Sequence, residues 1–522
     1  MPPRLLHPDE YELIGRDSNG SNESFDLDEA DFQSQGLTSQ SYLTQPRSLS
    51  SWLLSRVNTF RSRSVTVSNQ HQRKRSRAIR RPRKLGFHKS CSRLCSYFLV
   101  FTVIISSLLI LTAIFRPSYS KPPSHYQSLR QRVESSREFG RANPENQKIF
   151  IAASIYDAGG YLLGGAWGDA VLELISMLGR KNVYLSIYET TAGDTAQTAQ
   201  LEFEPKVQCS HTVVLEDPPA LDDLIQVVLP DGHKRTKRIA YLAEARNRAL
   251  QPLEEQSDVT YDKLLYLNDV AFDPIEAAQL LLSTNLDEHG QTAYRAACAV
   301  DFINPFKFYD TYATRDLEGY RMGLPFFPWF SNSGQGSSRA DVLAGKDAVR
   351  VKSCWGGMVA FDARPFQATP PLRFRATEDT YWDASECCLI HADIIKKGTF
   401  GEDTGHLGIY MNPFVRVAYD SSTLAWLSTV QRFERLFSVP HNVINHLVGL
   451  PWLNPRRTEE VGAKVEENVW ITDNTLKEGG SYQTRIREAQ GDGYCGMKML
   501  QVMKETPRNG EKHWEALPVP PG

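Results

Sequence analysis

The segment LLYLNDVAFDP, residues 264–274, is the most informative part of this chain, because it joins a strand, a polar turn and the start of a helix. Its first four residues are apolar and predict a buried strand. Asn268 and Asp269 follow at the carboxyl end of that strand, and Asp273 stands before Pro274 in the pattern of a helix N-cap. Asp269 is therefore a candidate ligand for a hard divalent cation, with an ordinary turn as the alternative, and Asp273 is the predicted cap.

Strands and helices alternate on the amino-terminal side of this segment. Residues 148–156 and 182–189 are apolar and rich in β-branched side chains, whereas residues 167–179 and 238–255 have the helical period. This alternation predicts an α/β domain with a mostly parallel sheet, in which ligands bind beyond the carboxyl ends of the strands. The polar residues expected near those ends are Asp157, Glu189, Asp194, Asn268, Asp269 and Asp273.

Residues 94–115, LCSYFLVFTVIISSLLILTAIF, contain no charged residue and lie between Arg93 and Arg116. A helix of this length extends about 33 Å, enough to cross a bilayer core of about 30 Å. A buried core helix is the alternative, but such helices seldom lack a polar face over so many residues. The segment begins too late for a cleavable signal peptide, so we expect one transmembrane, signal-anchor helix.

Charge differs on the two sides of this helix: residues 1–93 carry a net charge of +7 and the remainder −9. Lys and Arg residues crowd residues 73–93, and the positive-inside rule then places the amino terminus in the cytosol. A nuclear import signal or a nucleic-acid patch is the alternative for this run. Its position beside the span favours topology and anionic lipid instead, and the overall charge of −2 gives no reason to expect nucleic acid.

The remaining boundaries follow from composition. Residues 1–93 are polar and partly Ser/Gln-rich, which predicts a disordered cytosolic tail ending in the basic run. Residues 116–146 are expected to be a polar lumenal stem, 147–423 the α/β domain, and 424–522 a helical extension with a polar tail. Six cysteines follow the span, where an oxidising lumen would allow disulfides, and the sequence does not choose among their 15 pairings.

Several side chains within the α/β domain are candidates for binding or catalysis. In AEARNRAL (243–250), Arg246 and Asn247 are neighbours on a helix, where a guanidinium can bind a phosphate or a base; a solvated helix face is the alternative. Trp355 suits stacking against a sugar, although a buried Trp at a tight turn fits equally well. Glu386 precedes the apolar residues CCLI, which should anchor its carboxylate at the ligand edge of the sheet.

Seven short segments, in this order, resemble the fungal capsule-associated α-1,3-mannosyltransferase family: IAASIYDAGGYL, AEARNRAL, LYLNDVAFDP, FYDTYATRD, VKSCWGGMVAFDARPF, SECCLIHAD and NPFVRVAYD. The resemblance covers about residues 147–422. It implies a GT-A-like nucleotide-sugar-binding domain, GDP-mannose as the donor, Mn²⁺ or another divalent cation, and retention of the α configuration. It also implies a type II membrane protein of the secretory pathway, which we expect in the Golgi membrane.

Matched residue by residue, the resemblance implies a donor site and a metal site. Arg246 and Asn247 would bind the donor nucleotide, Glu189 its base or ribose, and Asp269 the metal. Glu386 would be the catalytic carboxylate that contacts the acceptor hydroxyl or the reacting sugar. Independently of the resemblance, the position of Trp355 beside two glycines makes it the candidate acceptor-binding residue.

The NDV segment departs from the D-x-D pattern of such folds, because Asn268 and Val270 stand where the two acids are usual. A single carboxylate suffices when a diphosphate and water complete the coordination. His406 is a further candidate ligand, with a solvated loop histidine as the alternative.

The expected function is therefore transfer of mannose from GDP-mannose to a mannose-containing glycan, with formation of an α-1,3 linkage. A non-catalytic membrane protein of polysaccharide assembly or export is the rival, and Asn268 in the acidic segment favours it. A glycoside hydrolase is the second rival, since the acids near Glu386 could form a carboxylate pair. A hydrolase has no need of the AEARNRAL segment, however.

Overall fold

The computed structural model describes residues 87–157, 159–190, 194–216, 220–229, 231–255, 258–396, 407–473, 475–476, 479–505 and 512–520. The predicted tail up to residue 86 and the candidate ligand His406 lie outside the described residues. The chain divides into two compact units, whose described parts are residues 87–111 and 112–520.

The helices begin and end at residues whose chemistry explains their bounds. Pro274 opens one helix, and the Asp273 carboxylate before it accepts a hydrogen bond of 2.8 Å from the backbone N–H of Ile275, so the predicted cap is confirmed. Gly179 ends another with a φ of 97°, which side-chain-bearing residues rarely adopt. In chain order the helices are α1 (Phe87–Phe115), α2 (Ser124–Ser135), α3 (Ala166–Leu178), α4 (Asp194–Phe203), α5 (Arg238–Glu255), α6 (Pro274–Ser283), α7 (Ser337–Ala344), α8 (Glu386–Lys396), α9 (Ser421–Val430) and α10 (Ser438–Val448).

The strands of the amino-terminal half coincide with the apolar runs of the sequence, since both faces of these strands are buried. In chain order the strands are β1 (Ile149–Ile155), β2 (Val183–Glu189), β3 (Ser210–Leu215), β4 (Gln226–Val228), β5 (Lys234–Thr236), β6 (Lys263–Leu267), β7 (Ala296–Asn304), β8 (Lys307–Phe308), β9 (Arg315–Asp316), β10 (Val349–Ser353), β11 (Met358–Asp362), β12 (Asp383–Ala384), β13 (Ile409–Ala418), β14 (Lys464–Thr472), β15 (Gly480–Glu488), β16 (Gly496–Met497), β17 (Leu500–Met503) and β18 (Trp514–Leu517).

One large sheet has the strand order β3-β2-β1-β6-β11-β7-β13-β10-β9, with β8 paired to β7. The pairs β3–β2, β2–β1 and β1–β6 are parallel, as is β7–β13. β11 and β10 are antiparallel to their neighbours. The predicted α/β class and parallel strands are therefore confirmed, and the sheet as a whole is mixed.

Helices cover both faces of this sheet, because alternate side chains of each buried strand point to opposite sides. Phe150 and Leu264 point into one hydrophobic cluster with residues of α5 and α8. Ile151 and Leu265 point into the other with residues of α3 and α6. The domain is thus a three-layer sandwich, and the carboxyl ends of β1, β2 and β6 lie at the same edge of its sheet.

α1 matches the predicted span. Its segment Ser96–Phe115 is long and apolar enough to cross a membrane and is not buried inside the protein. This observation rests on length and composition, and it is compatible with a membrane anchor.

The predicted stem at residues 116–146 is not a spacer in the structure. Its helix α2 buries Tyr126, Leu129 and Val133. The hydroxyl of Tyr126 accepts a hydrogen bond of 2.7 Å from Asn412 of β13. The polar composition hid this packing because α2 buries only one narrow stripe of side chains.

The predicted polar tail is also folded onto the domain. After α9 and α10 the chain forms the hairpin β14–β15 and the pair β17–β18. A disulfide joins Cys495 to Cys388 of α8, and the Arg315 guanidinium donates hydrogen bonds of 2.7 and 2.8 Å to the carbonyl oxygens of Tyr494 and Cys495. β14 and β15 are largely exposed and rich in polar residues, so composition alone suggests a tail.

Candidate active site

The carboxyl ends of β1, β2 and β6 bring together four of the six polar residues predicted there. Ile155 pairs with Glu189, and Ala153 pairs with Leu267, so the residues that follow these strands are spatial neighbours. Asp157, Glu189, Asn268 and Asp269 lie in this region, whereas Asp194 begins α4 and Asp273 caps α6. An open cleft occupies the edge, and its lining includes Ser154, Tyr156, Thr190, Tyr241, Arg246 and Asp269.

Arg246 is held at the cleft by hydrogen bonds to two other elements. Its Nε donates to Oε1 of Glu386 at 3.0 Å, and its Nη1 donates to Oδ1 of Asn268 at 3.2 Å. Its Nη2 makes no hydrogen bond to the described residues. The geometry therefore fixes the guanidinium while leaving one nitrogen available to a ligand.

Aromatic rings complete the surroundings of this guanidinium. The Cζ atom of Arg246 lies 4.4 Å from the ring centroid of Trp355 and 5.3 Å from that of Tyr266. The Trp355 indole also donates a hydrogen bond of 3.2 Å to Oδ1 of Asn268. Rings and hydrogen bonds together restrict the guanidinium to one position, which favours recognition of an anion without loss of side-chain entropy on binding.

Glu386 is fully buried behind Arg246 and does not line the cleft. As predicted, the apolar residues after it anchor the start of α8 in the core. Its second oxygen, Oε2, has no hydrogen-bond partner among the described residues. A carboxylate in this position cannot contact an acceptor hydroxyl in this structure, so its contact is with Arg246 and its effect on a ligand is indirect.

Glu189 is also buried, at the end of β2 beside Asp157. Neither of its carboxylate oxygens has a hydrogen-bond partner among the described residues. Burial, and secondarily the negative charge of Asp157, raises the pKa of Glu189 to about 8. Asp157 itself accepts hydrogen bonds from the backbone N–H groups of Tyr161, Leu162 and Leu163, so it serves the loop after β1. Glu189 adjoins Thr190 of the cleft lining, although it does not line the cleft itself.

Asp269 is half-buried and is the one acidic residue in the described lining of the cleft. Asn268 stands where a first acid is usual, and both of its oxygens already accept hydrogen bonds. Its Oδ1 accepts from Arg246 and Trp355, and its backbone carbonyl oxygen accepts from the Trp167 indole at 2.9 Å. Asn268 thus holds its neighbours in place, and Asp269 is the carboxylate of this turn that lines the cleft. One carboxylate with a diphosphate and water fits the coordination that Mg²⁺ and Mn²⁺ accept.

Asn247 and Trp355 differ from their predicted roles. Asn247 uses its whole amide on the backbone of Phe374: Nδ2 donates to the carbonyl at 2.9 Å, and Oδ1 accepts from the N–H at 2.8 Å. Trp355 is 3 % exposed, so it offers no open face to a sugar. Asn247 thus joins α5 to the backbone at Phe374, and Trp355 packs against Arg246 and Asn268. The sequence did not reveal these contacts because the partners are distant in the chain.

Cleft residues that the sequence analysis did not single out are Tyr156, Thr190 and Tyr241. Tyr156 and Thr190 each follow the last residue of a strand, β1 or β2, so the signal that identified Asn268 also existed for them. Tyr241 precedes Arg246 by five residues on α5, and a search confined to charged side chains overlooks it.

A second group of possible metal ligands in the described chain comprises Cys298, Cys354 and His391. The two cysteines form a disulfide, which removes their thiolates as ligands. His391 is buried, and desolvation lowers its pKa to about 4. This cluster is therefore part of the core.

Several solved structures are similar to this chain at low identity. A mannosyltransferase from Pyrobaculum calidifontis in complex with GDP-Man and Mn²⁺ is 12% identical with a TM-score of 0.31, over 66% of this chain and 78% of its own. Mannosyl-3-phosphoglycerate synthase from Rubrobacter xylanophilus is 13% identical with a TM-score of 0.28, over 70% and 96%. GalNAc-T7 with UDP, GalNAc and Mn²⁺ is 12% identical with a TM-score of 0.29, over 58% and 52%.

None of the curated proteins matches the sequence. A family model described as cryptococcal mannosyltransferase 1 matches residues 148–393. The matched range contains the whole described cleft lining, together with Trp355 and Glu386 behind it. Residues 148–393 therefore form a domain of the capsule-associated mannosyltransferase family.

Proposed function

We propose that this protein transfers mannose from GDP-mannose to a mannose-containing glycan, forming an α-1,3 linkage with retention of configuration. Membership of residues 148–393 in a mannosyltransferase family supports the reaction class. The observation that carries the proposal is the pairing of a fixed guanidinium, Arg246, with a half-buried carboxylate, Asp269, in one cleft at the strand ends. The GT-A-like character of the domain, the donor and the linkage belong to the same proposal.

Arg246 and Asp269 suit the two parts of a metal-bound diphosphate. The available Nη2 of Arg246 would donate to a phosphate oxygen, while Asp269 would hold Mn²⁺ or another divalent cation. Such a cation supplies charge stabilisation for the departing nucleoside diphosphate. Asn268 would orient the guanidinium rather than bind the cation, because both of its oxygens are already hydrogen-bonded.

Glu386 acts in this proposal as a positioning residue. Its buried carboxylate pairs with Arg246, which compensates the cost of burying both charges and keeps the guanidinium aimed at the cleft. Glu189, which is buried and outside the cleft lining, would act on the base or ribose of the donor indirectly, through the adjoining Thr190. With a pKa of about 8 it is protonated at neutral pH and can both donate and accept a hydrogen bond.

Full-length protein in detergent, melted with GDP-mannose, GDP, UDP-glucose or no ligand, with and without Mn²⁺, tests the donor. We expect GDP-mannose to raise the melting temperature most, and only with Mn²⁺. Equal shifts for UDP-glucose would contradict the donor assignment. The anomeric configuration of the product, read by NMR after incubation with a mannobiose acceptor, tests linkage and retention.

The non-catalytic rival keeps one specific observation in its favour, the single acidic residue in the described cleft lining. A donor-dependent melting shift without transfer to any of a panel of mannose-containing acceptors would support it. Transfer to one acceptor would exclude it.

We also propose a single-pass type II orientation in the Golgi membrane with the domain lumenal. The apolar helix Ser96–Phe115 and the basic run before it support this orientation. The disulfides Cys298–Cys354 and Cys388–Cys495 support it independently, because such bonds persist in oxidising compartments.

A further inference from the structure

Helix α10 has an inverted distribution of polar and apolar residues. Its polar His441 and Asn445 are buried against the domain, where Asn445 accepts a hydrogen bond of 2.8 Å from the N–H of Leu324 and His441 contacts the Leu324 carbonyl at 3.0 Å. Val439 and Leu447, on the opposite side, are 72% and 77% exposed. Hydrogen bonds thus fix the helix with its apolar side outward, an arrangement that is unfavourable in water.

The exposed apolar residues of α10 form a stripe, and an arginine precedes it in the chain. Val439, Val443 and Leu447 recur every four residues along α10, and Arg435 lies just before the helix, in the 3₁₀ turn Glu434–Phe437. Residues at this spacing lie along one side of a helix. Trp426 of α9, which is 60% exposed, adds a large aromatic ring to the same part of the chain.

Arg435 lies beside the end of the candidate span. It lines an open pocket of about 370 Å³ together with Phe115, Arg116, Tyr119 and Lys121. The described lining of this pocket contains aromatic and basic side chains and no acid. Arg116, Lys121 and Arg435 form no ion pair with the described residues.

The chain connection limits how far this surface can be from the membrane. The backbone N–H of Ser118 donates a hydrogen bond of 3.1 Å to the carbonyl oxygen of Gln431, the residue after α9. Ser118 is three residues beyond Phe115, so at most about 11 Å of chain separates the two Cα atoms. The headgroup layer on each side of a bilayer core is roughly 5–7 Å thick. The α9–α10 region is therefore tethered beside the headgroups if Ser96–Phe115 spans the membrane.

We propose that the α10 stripe and the basic pocket form a docking surface for the phospholipid leaflet into which the chain's own span emerges. Val439, Val443 and Leu447 would insert at the level of the headgroups, and Arg435, Arg116 and Lys121 would contact lipid phosphates. This surface rests on the span and does not depend on the proposed transferase activity. Such docking would fix the orientation of the domain relative to the membrane, which a flexible stem would leave variable.

The test uses full-length protein in nanodiscs of phosphatidylcholine and phosphatidylserine, with p-benzoylphenylalanine in place of Leu447. The control carries the same residue in place of Leu201, a leucine of α4 that is 65% exposed. α4 lies beside β3, since Gln200 donates to the Val213 carbonyl, whereas α9 packs on β13 near the other end of the sheet. We expect at least tenfold more lipid adduct from position 447 after irradiation.

The same label is also placed at Val443 and, as its control, at Ile486, because both side chains are more than half exposed. This second pair shows whether the result depends on the particular site that carries the label. Lipid adduct at 443 and little at 486 would support the docking surface. Equal lipid adduct at 447 and 201, or a crosslink from 447 to a second copy of the chain instead of lipid, would overturn it.

Discussion

At the scale of single residues, Arg246 shows how strongly function depends on neighbours. An arginine on a helix is most often solvated, yet this one is 7 % exposed and bound by Glu386, Asn268 and two aromatic rings. A planar, always-charged group with several donors can satisfy these contacts and still bind a phosphate. The residue type is therefore as important as its charge.

We expect Arg246→Lys to weaken GDP-mannose binding at least tenfold, measured by calorimetry in the presence of Mn²⁺. Lysine keeps the charge but cannot bond Glu386, Asn268 and a phosphate at the same time. Arg248→Lys on the same helix is the control, because Arg248 is paired with Glu244 and Glu216 away from the cleft lining. Equal affinities of the two variants would contradict the role of Arg246.

Asp269→Asn should abolish the Mn²⁺-dependent part of donor binding while the fold survives, because it removes the acidic side chain from the described cleft lining. The matched variant Asp273→Asn alters the cap of α6 and should cost about 0.5–1 kcal/mol of stability at most, with donor binding intact. Titration of each variant with Mn²⁺ at fixed GDP-mannose measures the effect. Normal Mn²⁺ dependence in Asp269→Asn would refute the metal assignment.

At the scale of elements, the carboxyl-terminal strands and α8 form one connected region. The disulfide Cys388–Cys495 closes a loop of 107 residues in sequence separation, and β16 pairs with β12 two residues before α8 begins. Glu386, the first residue of α8, accepts a hydrogen bond from Arg246 of α5. The tail therefore helps to fix the end of α8 that contacts Arg246. The tail thereby contributes to the cleft without lining it.

Cys495→Ser should therefore lower the melting temperature and expose the tail to proteolysis. Closing a loop of this length stabilises a protein by about 4–5 kcal/mol in the chain-entropy model, and less when strain intervenes. Cys388→Ser and the double variant are the controls, since each removes the same bond. Stabilities that differ widely among the three variants would show that the disulfide is not the cause.

At the scale of the whole molecule, stability depends on how buried carboxyl groups titrate. The pKa of Glu189 is raised from 4.5 to about 8, mainly by burial and secondarily by Asp157. Between these two values the folded chain holds a proton that the unfolded chain has lost, so this group's stabilising contribution falls as pH rises.

Glu189→Gln should be as stable as the parent protein at pH 5 and more stable at pH 8, because glutamine cannot ionise. The difference in melting temperature between variant and parent, measured across this range, isolates Glu189 from other titrating groups such as Asp316, whose pKa is raised to about 7 by burial. A difference that is constant with pH would contradict the raised pKa of Glu189.

Orientation is likewise a property of the whole chain. With a carboxyl-terminal tag on the full-length protein in sealed microsomes, we expect the tag to resist protease until detergent is added. An amino-terminal tag provides the internal control and should be digested in both conditions. Digestion of the carboxyl-terminal tag without detergent would contradict the lumenal assignment.

Local signals were sufficient for the parts of this protein that are built from neighbouring residues. The strands β1, β2 and β6, the helices α3, α5 and α6 and the Asp273 cap follow from apolar periodicity and capping chemistry, which act over a few residues. The cleft at the carboxyl edge of these strands also follows, because parallel strands with helical crossovers must end on the same side.

Contacts between distant residues decided the rest. Glu386 is 140 residues from Arg246, and Asn268 is 22 residues away, so their shared hydrogen bonds have no local signature. Only the folded chain reveals that the carboxylate of Glu386 is buried against Arg246. The same reason explains the occupied amide of Asn247, the buried ring of Trp355, the packed stem and the disulfide-bonded tail. Burial and pairing are properties of the assembled core, and a side chain's type specifies what it can do but not which partner it meets.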